Sequence, residues 1–163
     1  MIKMIRLDER MIHGQVAIKW SRHLAVDRIL VANDDAASNS IIQKSLMMAA
    51  PPTAKVGIKT VEESITLVND DRASGLKILL IVSNPKDLLH VMQSINEKPV
   101  VNVGNYGRIA PKENDVVRKT YRPNLYAYDQ EVTIFKETLN LGMEVIYQTT
   151  PEDVPEKLEK III

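Results

Sequence analysis

Short runs of consecutive apolar residues alternate with longer amphipathic segments along this chain. Arg28–Ala32 and residues 77–82 are almost wholly apolar after their first residue, a pattern typical of strands that are covered on both faces of a sheet. The segments between such runs have helical periodicity, which suits crossovers between parallel strands. The alternation therefore predicts a three-layer α/β/α fold around a mainly parallel central sheet of about six or seven strands.

The ends of the elements can be placed from glycine, proline and capping residues. Strands are predicted at 1–8, 28–32, 55–59, 77–82, 99–103, 125–128 and 144–148, and helices at 14–24, 38–50, 60–75, 85–95 and 131–141. Asp129 is expected to cap the last of these helices and Gly142 to end it. A further helix is predicted from Pro151, whereas residues 108–123 have no clear period. Because no repeat or linker interrupts the pattern, one domain over 1–163 is expected.

Composition narrows the class of function. Hydrophobic residues make up 45% and charged residues 26% of the 163 residues, which is typical of one globular domain. The formal net charge is zero, so nucleic acid is not expected as a partner. The longest apolar run, residues 78–82, is far shorter than the roughly 20 residues of a membrane helix. Since there is also no cysteine, we expect a soluble cytoplasmic protein without disulfides or thiol chemistry.

A charged segment links the first strand to the first helix, with the sequence Arg6-Leu-Asp-Glu-Arg-Met-Ile-His-Gly-Gln15. Strand alternation places Arg6 and Asp8 on one face of the sheet. His13 and Gly14 stand where the helix begins, and a helix start presents unpaired backbone N–H groups and positive dipole. The segment therefore predicts an anion site at this edge of the sheet.

His13 has the setting that phosphoryl transfer through an imidazole requires. A neutral ring nitrogen attacks phosphorus, and arginines together with backbone N–H groups can stabilise the negative phosphate. Asp8 could pair with Arg6 or Arg10, or it could accept the proton of the ring nitrogen that does not react. These local features leave open the alternative that His13 is an ordinary polar loop residue.

The other candidate residues favour structural roles. His23 and His90 fall in predicted helices without a neighbouring motif, and we expect them at the surface. Asp34 and Asp35 resemble an acidic metal-binding pair, but they follow the second strand where such a pair is expected after the first, so no metal site is predicted. Residues 104–107 lack the spacing of a dinucleotide-binding loop, so no cofactor is predicted.

The segment from Arg6 to Val16, followed by Trp20, closely resembles the active-site segment of the IIB component of the mannose/fructose/sorbose family of the bacterial sugar phosphotransferase system. The resemblance extends over essentially the whole chain. Residues 29–34, 77–82 and 101–105 are also similar to the corresponding segments of the family.

The resemblance implies a phosphocarrier. His13 is expected to accept a phosphoryl group from a phosphohistidine of the IIA component and to pass it to a sugar during uptake through the membrane IIC/IID complex. The family carries the phosphoryl group on Nδ1, so Nε2 of His13 is expected to be held by an orienting partner. The predicted phosphate-binding or orienting residues are Arg6, Asp8, Arg10, Gly14 and Gln15, and the predicted rim or partner contacts are Asp34 and Asn105.

Two alternative functions remain compatible with the sequence. One is a regulatory module of the same fold, in which another protein reads phosphorylated His13. The other is an anion-binding domain without covalent chemistry. Under the phosphocarrier hypothesis the protein is expected to associate peripherally with the membrane transporter, and mannose-type hexoses, sorbose and amino sugars are all possible substrates.

Overall fold

The computed structural model describes residues 1–163. The strands are β1 (Ile2–Asp8), β2 (Arg28–Ala32), β3 (Lys55–Lys59), β4 (Ile78–Val82), β5 (Val101–Asn105), β6 (Lys119–Arg122), β7 (Leu125–Ala127), β8 (Val145–Tyr147) and β9 (Glu156–Lys157). The α-helices are α1 (Gly14–Leu24), α2 (Asp34–Ser38), α3 (Ser40–Ala49), α4 (Val61–Asn69), α5 (Pro85–Ser94) and α6 (Asp129–Leu139). The bounds of β2 and β3 are those predicted from the sequence.

Seven strands form the main sheet in the order β3-β2-β4-β1-β5-β8-β9. The first six run parallel, and β9 pairs antiparallel with β8. Buried residues of α1, α2 and α3 pack on one face, and those of α4, α5 and α6 pack on the other. The predicted three-layer α/β/α fold with a mainly parallel sheet is confirmed.

The two faces of the sheet carry separate apolar cores. Ile5 and Leu7 belong to a cluster of 27 buried residues beneath α4, α5 and α6. Met4 and Trp20 belong to a cluster of 11 buried residues on the side of α1. Because strand residues alternate between faces, Arg6 shares the α1 face with Met4. The polar residues of β1 therefore lie on the side from which α1 begins.

The helix predicted at 38–50 corresponds to α3, and the separate helix α2 before it was not predicted. Asn39 has an extended backbone between α2 and α3, with φ −123° and ψ 107°. Its Oδ1 accepts hydrogen bonds from the N–H groups of Ile41 and Ile42 at 3.0 and 3.1 Å. This cap begins α3, while α2 starts earlier because Asn33 caps it through the N–H of Ala36.

Three predicted helix ends were misplaced. The helix predicted at 60–75 ends at Asn69, and a separate 3₁₀ turn, Asp71–Ala73, follows it. Asp129 is the first residue of α6 and not its cap. The cap is Tyr128, whose backbone N–H donates to the Glu131 carboxylate at 2.8 Å, and the C-cap is Asn140 and not Gly142.

The strand predicted at 125–128 does not join the main sheet. It forms β7, which pairs antiparallel with β6 in a separate two-stranded sheet. The segment 108–123, for which no element was predicted, contains β6. A four-residue strand with the sequence Lys-Thr-Tyr-Arg has too little apolar periodicity to be recognised in the sequence.

The helix predicted from Pro151 is absent. The chain instead forms β9 and the 3₁₀ turn Leu158–Lys160. Pro155 restrains the preceding residue to extended backbone, which opposes a helix at this point. The apolar residues Leu158, Ile161 and Ile162 pack into the larger core from this irregular segment.

The carboxyl ends of β1 and β5 meet in the middle of the sheet. Asp8 pairs with Asn105 across these strands, and the N–H of Glu9 donates to the carbonyl oxygen of Asn105 at 2.9 Å. The chain leaves β1 toward α1 on one face and leaves β5 toward α6 on the other, which opens a crevice of the kind that binds ligands in α/β folds. None of the helices combines the length and apolar character needed to cross a membrane.

Candidate active site

His13 lies at the junction of the β1 loop and α1. It is the N-cap residue of α1, with an extended backbone at φ −151° and ψ 139°, and its side chain makes no capping hydrogen bond. The side chain is 28% exposed. The ring is therefore accessible, and the first N–H groups of α1 keep their capacity to bind an anion.

The imidazole of His13 is held by Asp8. Nε2 lies 3.0 Å from Asp8 Oδ2, while Nδ1 has no hydrogen-bond partner within the protein. A carboxylate partner favours the tautomer that carries its proton on Nε2, because only that tautomer can donate to the oxygen. The lone pair of the neutral ring is then on Nδ1.

Asp8 is fully buried and joins three parts of the site. Oδ2 accepts from Arg6 Nη2 at 2.9 Å and from His13, and Oδ1 accepts from the backbone N–H of Arg10 at 3.0 Å. Burial raises the pKa of Asp8, but the hydrogen bond from His13 and the charge of Arg6 together lower it by more than burial raises it. The pKa therefore lies below its ordinary value and the group is a carboxylate at neutral pH.

Arg6 is almost completely buried behind Asp8, with 2% of its surface exposed. Nη1 donates to Asn102 Oδ1 at 2.5 Å and to the carbonyl oxygen of Gln148 at 3.4 Å. Burial lowers the pKa of the guanidinium, and the neighbouring Asp8 charge raises it in part. Arg6 was predicted to bind the phosphate together with Arg10, but its burial favours orientation of Asp8 over direct contact with a phosphate.

The turn between Asp8 and His13 has a defined backbone. The N–H of Met11 donates to the carbonyl oxygen of Asp8 at 2.9 Å. Met11 has a φ of +63° and Gly14 a φ of +47°. A left-handed backbone is unfavourable for methionine, so the surrounding contacts must impose it. The turn is thus ordered by the same residue that holds His13.

Glu9 ties this turn to the loop after β5. Its carboxylate accepts from the backbone N–H groups of Gly107, Arg108 and Ala110 at 3.0 Å each, and from that of Ile109 at 3.3 Å. An added Cβ at Gly107 would overlap the backbone of Tyr126, so the loop also packs tightly against β7. The loops after β1 and β5 are therefore joined through one side chain.

Most of the remaining predicted site residues lie near His13 or Asp8, whereas Asp34 lies apart from them. Arg10, Gly14 and Gln15 are exposed around His13, and the side chain of Arg10 makes no hydrogen bond to the protein. Asn105 is half-buried beside Asp8. Asp34 follows β2, which β4 separates from β1, and its Oδ1 accepts from the N–H of Val61 at 2.9 Å.

Several residues of the site were missed in the sequence. Glu9, Asn102, Gly104 and Gln148 act through contacts between segments that are far apart in the chain. Trp20 had been noted only as part of the family pattern, yet its ring lies 5.6 Å from the Arg6 guanidinium, and its Nε1 donates to the carbonyl oxygen of Thr149 at 3.0 Å. The sequence signal for Glu9, Asn102 and Gly104 was their place in the family-like segments Arg6–Val16 and 101–105.

The other two histidines lie outside this arrangement. His23 is exposed and packs edge-on to Trp20, with 5.8 Å between ring centroids. His90 Nε2 lies 2.5 Å from Glu62 Oε1 on the surface. Neither combines a helix start with a buried carboxylate and arginine. His13 alone therefore has the surroundings of a nucleophilic imidazole.

Comparison with known proteins identifies the family. A family model described as PTS system sorbose subfamily IIB component matches residues 2–163. The chain is 36% identical over 163 residues to a Streptococcus pyogenes serotype M6 protein named a probable phosphotransferase enzyme IIB component. This match covers 99% of each of the two chains. It is 28% identical over 162 residues to the mannose-specific EIIAB component of Escherichia coli K12, which covers 99% of this chain and 48% of that protein.

A solved structure supports the same grouping at the level of the fold. The crystal structure of the IIB domain of the sorbose permease from Klebsiella pneumoniae matches with a TM-score of 0.88, covering 99% of this chain and 95% of that one at 24% identity. The family resemblance predicted from the Arg6–Val16 segment is confirmed. The chain belongs to the sorbose-subfamily IIB components of the sugar phosphotransferase system and is a phosphotransferase component that acts in sugar uptake.

Proposed function

We propose that His13 carries the phosphoryl group and that Nδ1 is the nitrogen that receives it. The observation that carries this proposal is the 3.0 Å contact between His13 Nε2 and Asp8 Oδ2, which leaves Nδ1 without a protein partner. Nδ1 then holds the lone pair of a neutral ring at the start of α1. Exposure of the ring allows a second imidazole to approach in line.

The surrounding residues have distinct roles in this transfer. Arg10 supplies an exposed guanidinium to the phosphate, and the first N–H groups of α1, at Gly14 and Gln15, supply further donors. Asp8 orients the ring, and Arg6 holds Asp8 from behind. As Nδ1 bonds to phosphorus, the bond from phosphorus to the donor imidazole breaks and the donor nitrogen keeps the electron pair. No metal is needed in this step, because arginine and amide dipoles meet the developing charge.

The partners follow from the family and from the chemistry. IIB components of this family work with IIA and IIC/IID components. We infer that a phosphorylated IIA component is the donor and that a sugar held by a membrane IIC/IID complex is the final acceptor. The sugar hydroxyl oxygen bonds to phosphorus, the bond from phosphorus to Nδ1 of His13 breaks with its electron pair returning to Nδ1, and the hydroxyl proton passes to solvent. The EIIAB name of the E. coli mannose relative supports the pairing with IIA. The protein then works in the cytoplasm at the surface of its transporter.

Intact-mass measurement tests the phosphorylation site. The protein is mixed with phosphoenolpyruvate, the general phosphotransferase proteins and a IIA component. We expect one added phosphoryl group on the wild type, on His23→Ala and on His90→Ala, and none on His13→Ala. Because His13→Ala removes one of the three donors to the buried Asp8 carboxylate, it should lower the free energy of unfolding by about 1–3 kcal/mol and leave the protein folded. A phosphoryl group on folded His13→Ala would refute the assignment.

Transfer onward is tested separately with membranes that contain the IIC/IID complex. Formation of sugar phosphate supports the transport role. Phosphorylated protein that never yields sugar phosphate would favour a regulatory role for phospho-His13.

A further inference from the structure

We propose that Gly104 is a positioning residue for phosphoryl transfer, because its missing side chain makes the space in which Arg6 holds Asp8 and, through Asp8, the ring of His13. This inference rests on the proposed function of His13. It adds a residue that lies in β5 and does not itself touch the phosphate.

The need for glycine at this position is steric. An added Cβ at Gly104 would overlap Cζ, Nη1 and Nη2 of Arg6. The backbone of Gly104 is not in the left-handed region, unlike that of Gly14, Gly107 and Gly142. Glycine in a strand weakens the strand, and it commonly marks a place where another group approaches closely. The group that approaches Gly104 is the guanidinium.

The surrounding residues leave the Arg6 guanidinium no space to move away from an added methyl group. Its nitrogens donate hydrogen bonds to the side chains of Asp8 and Asn102 and to the carbonyl oxygen of Gln148. The centroid of the Trp20 ring lies 5.6 Å from Cζ. Arg6 is 2% exposed, so a displaced guanidinium would lose these partners without reaching water. A methyl group at position 104 must therefore break the contact between Arg6 and Asp8.

The effect of that break would reach His13 through a single carboxylate. Asp8 Oδ2 accepts from both Arg6 Nη2 and His13 Nε2. A carboxylate that loses its buried counter-ion changes its position or its charge state, and the ring loses its fixed orientation. Gly104 thus sets the direction of His13 Nδ1 indirectly, through the side chains of Arg6 and Asp8.

The first experiment compares Gly104→Ala with Gly75→Ala. Gly75 is exposed, and an added Cβ there would meet nothing within 4 Å, so it is a matched control. We expect Gly104→Ala to lower the maximal rate of phosphoryl transfer by about ten- to a hundredfold, with little change in KM for the donor. Gly75→Ala should match the wild type. A rise in KM of the same size with an unchanged maximal rate would overturn the proposal. So would a wild-type rate in folded Gly104→Ala.

A spectroscopic readout separates this proposal from the function on which it rests. The Nε2–H proton of His13 should be protected from exchange by Asp8 and visible in a proton–nitrogen correlation spectrum at a pH where the ring is neutral. It should disappear in Gly104→Ala and persist in Gly75→Ala. If the signal persists in Gly104→Ala while phosphate still goes to His13, the positioning role is wrong and the proposed function stands.

A double variant covers the case in which Gly104→Ala does not fold. Arg6→Lys removes the guanidinium that the methyl group would strike. The double variant Arg6→Lys with Gly104→Ala should therefore fold and transfer phosphate as fast as Arg6→Lys alone. A double variant that is slower than Arg6→Lys, or that is unfolded while Arg6→Lys is folded, would overturn the steric argument.

Discussion

Asp8 combines structural and chemical contacts on one buried carboxylate. It binds the side chains of Arg6 and His13 and the backbone N–H of Arg10. Burial alone would raise its pKa, but the hydrogen bond from His13 and the charge of Arg6 lower the pKa below the ordinary value. The ionised form is thus favoured more in the folded protein than in the unfolded chain, which links the stability of this site to pH.

The pH dependence of stability follows with a definite sign. Because the folded pKa of Asp8 is depressed, its contribution is present above the unfolded value of about 3.9 and is lost as pH falls through the folded value. The difference in unfolding free energy between the wild type and Asp8→Asn should therefore shrink between about pH 5 and pH 2. Urea unfolding across that range measures it. A constant difference would show that the pKa of Asp8 is not depressed by folding.

Arg10 should affect rate far more than stability. Its side chain is exposed and has no protein partner, so Arg10→Ala should leave the melting temperature almost unchanged. Loss of a charged donor to the transferring phosphoryl group should lower the transfer rate by roughly a hundredfold. Arg10→Lys should recover only part of this, because an ammonium lacks the planar fork of arginine.

The control for this variant is another exposed arginine far from the site. Arg72 lies beside Ala73, whose carbonyl oxygen accepts from the amino group of Met1 at the other end of β1. Arg72→Ala should transfer phosphate at the wild-type rate. Equal rates in Arg10→Ala and Arg72→Ala would mean that Arg10 takes no part in the transfer.

At the scale of elements, Glu9 is the link between the end of β1 and the loop after β5. Glu9→Gln removes the charge and leaves one amide oxygen where two carboxylate oxygens received four N–H groups. We expect the free energy of unfolding to fall by roughly 1–3 kcal/mol, since several partly buried N–H groups lose a charged acceptor. Amide exchange at 107–110 should accelerate.

Glu159 provides a control for this change, because it is an exposed glutamate near the opposite terminus. Glu159→Gln should leave both stability and exchange at 107–110 unchanged. If Glu9→Gln behaves in the same way, the loop after β5 must be ordered by its packing against β7 alone.

The sequence predicted elements well where the local pattern agrees with the fold. β2 is a continuous apolar run and β3 is bounded by clear turn residues, and both have their predicted bounds. The helix predicted from Pro151 was wrong, because it was based only on a local signal, a proline at a helix start. The packing of Leu158, Ile161 and Ile162 against the core, with Pro155 upstream, favours an irregular segment over a helix.

The site was predictable to the extent that it is local. Arg6, Asp8 and His13 lie within eight consecutive residues, and their arrangement follows from strand alternation and a helix start. The bond from Arg6 to Asn102 spans 96 positions, and that from Glu9 to Gly107 spans 98. Contacts at such separations depend on the order of strands in the sheet, which no local pattern in the chain reveals.

At the scale of the whole molecule, the carboxyl edge of the sheet should be the docking surface for the phosphodonor. His13, Asn105 and the loop 107–110 all lie at this edge. Chemical-shift mapping with the IIA component should perturb resonances of these residues. Resonances of residues 71–77, at the amino edge near Met1, should not move. Shifts clustered at 71–77, with the surroundings of His13 unmoved, would refute this docking surface.

The left-handed backbone of Met11 has a consequence for how the protein meets its partners. A turn that is already tied at Asp8 needs no ordering on contact, so an encounter costs mainly translational and rotational freedom. Few contacts then suffice to reach the reactive geometry, and each partner can have a short residence time. We therefore expect the transfer rate to depend on how often the protein meets each partner and not on ordering of this turn.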